Sequence, residues 1–187
     1  MKVTPLALPD VLLIEPLVHR DARGAFMESW HMERYRAAGI PERFVQDNLS
    51  RLRRGVLRGL HFQEPYAQGR LVSVPAGEVF DVVVDVRVGS PTFGRWVACT
   101  LSGENGRQLY IPEGFAHGFV VTSETALFSC KCTFYDHAAA QVTLLWDDPD
   151  IGIRWPVKAP ELSNKDRVGL RLREIPLERL PSRVSAA

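Results

Sequence analysis

Gly55-Val56-Leu57-Arg58-Gly59-Leu60-His61-Phe62-Gln63 and Ile111-Pro112-Glu113-Gly114-Phe115-Ala116-His117-Gly118-Phe119 are the two stretches on which the reading of this chain turns. Each is a glycine-punctuated apolar run carrying one histidine. Short apolar runs bounded by glycine and proline read as buried strands. A histidine in such a run is either a satisfied core partner or a group turned into a ligand cavity. Two of them, in stretches of the same build, read as the two halves of a small β-barrel's binding interior.

The rest of the chain extends that reading. Alternation is plainest at 78–86, where Phe80, Val82, Val84 and Val86 point one way and Val79, Asp81, Val83 and Asp85 the other. Aspartates on a second face are usually solvated; in a closed barrel they point into a polar cavity. Further strands are expected at 11–18, 26–29, 55–62, 71–74, 95–101, 107–111, 117–121, 126–135 and 142–146. Turn signals separate them, among them Pro75-Ala76-Gly77 and Gly103-Glu104-Asn105-Gly106. This spacing predicts a mainly β, jelly-roll barrel with a few short helices. The clearest helix is expected at 31–38, closed by Gly39 and stopped by Pro41. Hydrogen-bonding groups collect in expected loops at Asp21-Ala22-Arg23-Gly24, at 44–48 and at 162–166. From Arg167 onward no period is visible, and that segment either wraps the barrel or frays. No linker or repeat interrupts 1–187, so a single domain is expected, with 168–187 peripheral.

At 187 residues the chain is long enough for one well-buried core. Lys and Arg total 23 against 22 Asp and Glu, which leaves no net field to gather nucleic acid or a membrane surface. No run approaches a membrane span. Pro5, Pro9 and Asp10 break up the N-terminal stretch and argue against a signal peptide, so a cytoplasmic protein is expected. Cys99, Cys130 and Cys132 then read as reduced thiols. Cys130-x-Cys132 has no second pair at zinc-site spacing and reads as buried thiols in a strand.

The two opening stretches resemble the paired motifs of the cupin superfamily, whose barrels usually hold a metal. Pro112-x-Gly114-x-x-His117 keeps the second motif's spacing. In the first, Gln63 stands where a second histidine would be, and no carboxylate comes after it at the expected distance. A metal centre wants about three or four N/O ligands, and two are offered. The expectation is a retained barrel with no metal and no cofactor, in which His61 is free to act as a base.

A closer resemblance covers roughly residues 8 to 168. Asp21-x-Arg23-Gly24, Phe44-Val45-Gln46-Asp47-Asn48 and Val56-Leu57-Arg58-Gly59-Leu60-His61-Phe62-Gln63 are similar to the dTDP-4-dehydrorhamnose 3,5-epimerase family. The likeness continues through Ser90-Pro91-Thr92-Phe93-Gly94, the 111–119 stretch, Asp148-Pro149-Asp150-Ile151-Gly152-Ile153-x-Trp155-Pro156 and Leu162-Ser163-x-Lys165-Asp166. The family acts on nucleotide-linked 4-keto-6-deoxyhexoses in deoxysugar biosynthesis. The ketone acidifies the hydrogens at C3 and C5, so epimerisation needs a base, an enolate stabiliser and a proton donor on the opposite face.

The resemblance implies His61 as base and Asp166 as the carboxylate that orients it. Arg70 comes after Gln68-Gly69 where the family often has a lysine to hold the keto oxygen. Arg23, Gln46, Asn48 and Arg58 align with diphosphate and nucleotide contacts; Glu28, Lys165 and Asp136 are further substrate-binding candidates. His117 is a supporting group, with Asp81 across the barrel as its partner. The family is usually homodimeric with shared N-terminal strands, so the 21–28 segment is expected to reach a partner's site.

The family's opposite-face tyrosine aligns with Cys130, and a second tyrosine six positions on aligns with Asp136. Tyr135, beside it, should face the other way on a strand. A thiol ends short of a phenol's reach. Three readings remain open: an epimerase acting at one carbon or on a different sugar nucleotide, an ordinary 3,5-epimerase, and a sugar-nucleotide-binding cupin with weakened chemistry.

Overall fold

The computed structural model describes residues 1–40 and 43–183, so the stop assigned to Pro41 lies outside the described residues, as do the last four residues of the 168–187 segment. Strands β1 (Lys2–Pro5) and β2 (Leu12–Glu15) precede a hairpin of β3 (Val18–Asp21) and β4 (Gly24–Met27), then helix α1 (Met32–Ala37). Next come β5 (Gln46–Arg53), β6 (Leu57–Gln63), β7 (Arg70–Ala76), β8 (Glu78–Asp85) and β9 (Trp96–Ser102). The chain continues through β10 (Gln108–Ile111), β11 (Phe115–Val121), β12 (Thr125–Cys132), β13 (Gln141–Thr143) and the single-turn helix α2 (Asn164–Arg167). A six-stranded sheet in the order β1-β2-β10-β7-β12-β5 faces a five-stranded sheet in the order β13-β6-β11-β8-β9. The strand pairings are antiparallel, and the architecture is the expected jelly roll.

Three apolar layers hold it together. Between the sheets, Val79, Val83, Leu101, Phe115 and Val121 meet Val72, Val74, Leu109, Ile111 and Ala126. The outer face of the five-stranded sheet, with Phe62, Val82, Val84, Val86 and Ala116, is covered by Ile151, Leu172, Ile175 and Leu180. The described C-terminal segment therefore wraps the barrel. On the outer face of the other sheet, Ile14, Leu71 and Tyr110 receive Tyr35 and Ile40 from α1 and its exit. Each such burial is worth about 1.5–3 kcal/mol against leaving the side chain in water. Because β8 has a layer on both faces, its valines are buried on both, and Asp81 and Asp85 must find internal partners. Asp85 takes Arg87, Ser90 and Thr92, bracing a loop rather than lining a ligand cavity.

Several expected boundaries move. Gln46-Asp47-Asn48, expected in a loop, opens strand β5; at the edge of its sheet this strand is largely exposed and carries no apolar alternation to betray it. β1 has no counterpart among the expected strands, and the strand expected at 126–135 ends at Cys132, where pairing to β5 and β7 stops. α1 is capped by His31, whose Nδ1 accepts from the Arg34 N–H, and ends ahead of Gly39 at φ +89°. Among the described residues no helix is long and apolar enough to cross a membrane.

The joint between β6 and β11 decides which of their side chains share a face. His117 pairs with His61, but Phe119 pairs with Arg58, so two residues of β6, Gly59 and Leu60, stand opposite Gly118. This bulge turns Arg58 onto the face of His61, against strict alternation. A Cβ on Gly59 would lie 2.5 Å from the Gly118 Cα, and one on Gly118 would lie 2.7 Å from the Arg58 carbonyl oxygen. Gly59 also sits at φ +130°, which side chains rarely adopt. Gly59→Ala is therefore expected to lower unfolding free energy by about 3 kcal/mol or more. Gly55→Ala, where an added Cβ meets nothing, should cost about 1 kcal/mol for its φ alone. Urea unfolding of the two variants checks this, and equal costs would remove the crossing as a constraint.

Candidate active site

A cavity of about 540 Å³ opens between the sheets. β5 lines it with Gln46, Asn48 and Ser50, alternate residues of one face, and β12 with Phe128, Cys130 and Cys132 in the same way. β6 contributes Arg58 and His61, β7 Arg70, and β11 His117 and Phe119; Gln68, Asp136 and Gln141 close the rim. Phe119 and Phe128 stack with centroids 3.9 Å apart, giving this polar pocket one apolar floor.

His61 Nε2 lies 2.6 Å from Asp166 Oδ1. The carboxylate arrives from far along the chain because Glu161 zips onto the start of β6: its N–H donates to the Gly55 carbonyl, and its carbonyl accepts from the Leu57 N–H. Arg53 clasps the Glu161 carboxylate from the side. Ser163 then caps α2. Its Oγ accepts from the Asp166 N–H at 3.2 Å and donates to Asp166 Oδ2 at 2.7 Å, fixing the carboxylate on its second oxygen. Sequence reasoning gives Ser163 no role, although Ser163-x-x-Asp166 is a helix-start pattern with an acidic third residue, akin to a capping box.

Burial holds the His61 imidazole below its ordinary pKa, with the Asp166 contact opposing that shift. Burial also pushes Asp166 up, but hydrogen bonds from His61 and Ser163 outweigh it, and the carboxyl sits below its usual range. Both directions describe one state, a neutral imidazole beside an ionised carboxylate. In that state Nε2 carries the proton that Asp166 accepts, and Nδ1 keeps its lone pair. Arg70 donates to the His61 carbonyl at 2.9 Å and to Gln68 Oε1 at 3.4 Å, which places a fixed cation next to the imidazole.

His117 Nε2 meets both oxygens of Asp81 at 2.9 and 3.0 Å. The pair was expected across the barrel; it joins neighbouring strands instead, since β11 and β8 are adjacent and Asp81 lies opposite Phe119. Asp81 is fully buried, and burial lifts its pKa above the usual range despite His117. On the facing wall, Cys130 Sγ and Cys132 Sγ are 3.6 Å apart. The wall's polar groups are tied together: Arg58 donates to Ser50 at 3.1 Å, Gln46 to Asn48 at 3.0 Å, and the Asp136 N–H to Gln46 at 3.0 Å.

Of the residues singled out from sequence, His61, Arg58, Arg70, Gln46, Asn48, His117, Cys130 and Asp136 are brought together here, with Asp166 behind His61. Lys165 stands at the rim, bonded to Gln141. Arg23 and Glu28 are not part of the cavity: Arg23 pairs with Asp21 at the tip of the β3–β4 hairpin, and Glu28 with Arg34. Tyr135 lies beyond the end of β12, 58 % exposed. Gln63 braces loops, donating to the Tyr66 carbonyl at 2.7 Å and accepting from the His137 N–H at 2.8 Å. Among the described residues no group of three or more His, Cys, Asp or Glu side chains is placed to hold a metal ion.

An oriented, neutral imidazole in a polar jelly-roll cavity defines a class of protein that moves a proton to or from a small bound molecule. Comparison with known proteins makes this specific. The family model described as dTDP-4-dehydrorhamnose 3,5-epimerase matches residues 5–174. A relative of that name from Pseudomonas aeruginosa is 56 % identical over 171 residues, 90 % of this chain and 94 % of that protein. A dTDP-4-dehydrorhamnose 3-epimerase from Streptomyces niveus is 41 % identical over 178 residues, 93 % of this chain and 85 % of that protein. The crystal structure of a dTDP-6-deoxy-D-glucose-3,5-epimerase from Legionella pneumophila, in complex with dTDP-4-keto-L-rhamnose, superposes with a TM-score of 0.96 at 49 % identity, covering 98 % of this chain and 99 % of that one. The chain belongs to the dTDP-4-dehydrorhamnose 3,5-epimerase family.

The electrostatics of the dyad have a direct readout. By NMR, His61 is expected to titrate below about 6.5, so the imidazole is neutral and basic at neutral pH and is lost as a base only as pH falls through that lower value. In Asp166→Asn it should titrate lower still, because the carboxylate raises it. A higher value in the variant would contradict the assignment.

Proposed function

We infer that the protein epimerises a nucleotide-linked 4-keto-6-deoxyhexose next to its ketone, in deoxysugar biosynthesis. The observation that carries this reading is the His61–Asp166 dyad at 2.6 Å, opening on a polar cavity in a chain of this family. His61 removes the proton at a carbon beside the ketone. Asp166 stabilises the imidazolium that forms, and the Arg70 guanidinium takes the charge that develops on the keto oxygen. Arg58, Gln46 and Asn48, with Asp136 and Lys165 at the rim, hold the dTDP portion. His117, locked by Asp81, shapes the floor. No metal or other cofactor is assigned a step.

Reprotonation from the other face falls to the wall that carries Cys130, on the sheet opposite His61. A thiol there ends short of a phenol, which favours reaction at one carbon or on an altered sugar. The Streptomyces niveus relative, named a 3-epimerase, supports the single-carbon form. Ordinary 3,5-epimerisation is the second reading, favoured by the name of the Pseudomonas aeruginosa relative; it requires Cys130, a bound water or a shifted Tyr135 to replace the missing acid. A purely binding role has no use for an oriented base.

The protein is proposed to act in the cytoplasm as a homodimer, within one domain. Phe26 on β4 is 72 % exposed and Leu17, just before β3, 64 % exposed; in the proposed dimer this hairpin brings Arg23 and the adjoining Glu28 toward the partner's site. Such exposure of large apolar side chains supports a protein contact.

Incubation with dTDP-4-keto-6-deoxyglucose in heavy water, monitored by proton NMR, tests the reading. Deuterium is expected at one carbon beside the ketone; incorporation at both, with a rhamno-configured product, selects the 3,5-reading, and none at either overturns epimerisation of this sugar. His61→Ala should retain less than about a tenth of the exchange, and Asp166→Asn should lose about 10²-fold or more. Cys130→Tyr is expected to add exchange at the second carbon, and an unchanged product pattern would mean that another group already supplies that proton.

A further inference from the structure

We propose that Cys130 and Cys132 form a two-thiol clamp in the cavity wall that captures a thiophilic centre with two open valences, of the class of trivalent arsenic, as a single bridging atom. The two side chains occupy alternate positions of β12, so they share a face, and both line the cavity with their sulfurs 3.6 Å apart. Nothing in the proton-transfer reading needs the second thiol.

The strand decides what this pair can do. β12 lies between β5 and β7 in its sheet, with Cys130 opposite Asn48 and Val72, and Cys132 opposite Gln46 and Arg70. Alternate residues of an extended strand stand about 6.6 Å apart, and their Cβ atoms, which point the same way, keep a similar spacing. A disulfide brings Cβ atoms to about 3.5–4.5 Å. Direct closure would buckle a strand that is laddered on both sides, so the pair resists forming its own disulfide. Insertion of one atom removes that demand. A soft centre bonded to two thiolates at about 2.3 Å, at a near-tetrahedral angle, holds the sulfurs about 3.8 Å apart, close to the separation already present.

The surroundings favour capture. The hydrogen bond from Cys130 holds the Cys132 thiol below its usual pKa, with the Arg70 charge adding to that effect. Asn48 Nδ2 donates to Cys132 Sγ at 3.7 Å. Cys130 is half-buried and Cys132 buried, so entry begins at Cys130, which its hydrogen bond to Cys132 and its burial hold well above its usual pKa as the protonated thiol. With a monosubstituted arsenic(III) oxide, the Cys130 thiol adds across the arsenic–oxygen double bond, its proton going to oxygen. Cys132 sulfur then displaces the resulting hydroxyl, which leaves with the second thiol proton as water. Two sulfur–arsenic bonds form, one water departs and arsenic stays trivalent. Cys99, on β9 and packed against the core between the sheets, has no thiol partner and serves as the internal control.

The probe is phenylarsine oxide added to the full-length, reduced protein, with the product read by intact mass. One adduct, equal to the reagent less one water, is expected. It should survive an excess of a monothiol such as mercaptoethanol and be removed by the dithiol 2,3-dimercaptopropanol. Cys130→Ser and Cys132→Ser should each weaken retention about 100-fold or more, as loss of the second, intramolecular bond requires, while Cys99→Ser behaves as wild type. An adduct stripped by monothiol, absent in the wild type, or equally retained in Cys132→Ser overturns the clamp. Loss of epimerisation in step with the adduct is expected if the wall faces the reacting sugar, a clause that rests on the function proposed above. A bridged adduct without that loss would leave the clamp standing and bring down the placement of the reaction at this wall.

Discussion

The backbones of β6 and β11 approach so closely at Gly59 and Gly118 that neither position has room for a Cβ, and the arrangement of the cavity depends on that approach. In an uninterrupted strand Arg58 and His61 would project from opposite faces. The extra residue that the two glycines accommodate turns Arg58 inward, so the cation and the imidazole share one cavity. The same joint sets His61 directly opposite His117, each with its own buried carboxylate. One glycine contact thus fixes the spacing among three charged or titratable groups through the backbone alone.

Those two histidines show how the same residue type is given different work by its surroundings. His117 and Asp81 are both almost wholly shut off, and burial dominates Asp81. Such a pair is expensive to break, since leaving a buried polar group without its hydrogen-bond partner typically costs about 1–3 kcal/mol, and it acts as a fixed part of the wall. His61 keeps partial access to the cavity, while its carboxylate is buried behind it and tied on both oxygens. Asp166 is therefore held where it can respond to a charge arising on the imidazole but cannot itself reach a ligand in the cavity. Orientation and access are divided between the two members of the dyad.

Much of this was legible in the sequence, and the reasons are local. The buried strands announced themselves through β-branched alternation, and β8 showed one apolar face in Phe80, Val82, Val84 and Val86, while its second face, buried as well, read as polar because of Asp81 and Asp85. The paired glycine–histidine stretches gave the barrel interior, and the glycine between Arg58 and His61 stands where a strand most readily bulges. β5 was hidden because an edge strand with one face in a polar cavity and the other in solvent has no apolar period, so Gln46 and Asn48 looked like loop residues. The partnership of His117 with a neighbouring strand, rather than one across the barrel, depends on strand order, which no local pattern encodes. Gln63 looked like a lost ligand and proved to be a loop brace, a distinction set entirely by what its amide reaches.

The two walls of the cavity differ in how freely they can change. The His61 wall is over-determined: its bulge needs two glycines, its carboxylate needs the Glu161 zipper and the Ser163 cap, and Arg70 is bonded to the histidine's own carbonyl. A substitution in that set disturbs several partners at once. On the facing wall, Cys130 and Cys132 are placed mainly by the alternation of β12, whose backbone ladder is indifferent to the side chains it presents. Exchange of a phenol for a thiol there leaves every strand pairing intact while altering reach, acidity and the free space in the cavity. In the proposed reaction, proton abstraction falls to the wall that the fold protects, whereas the choice of carbon and of sugar falls to the wall that it leaves free.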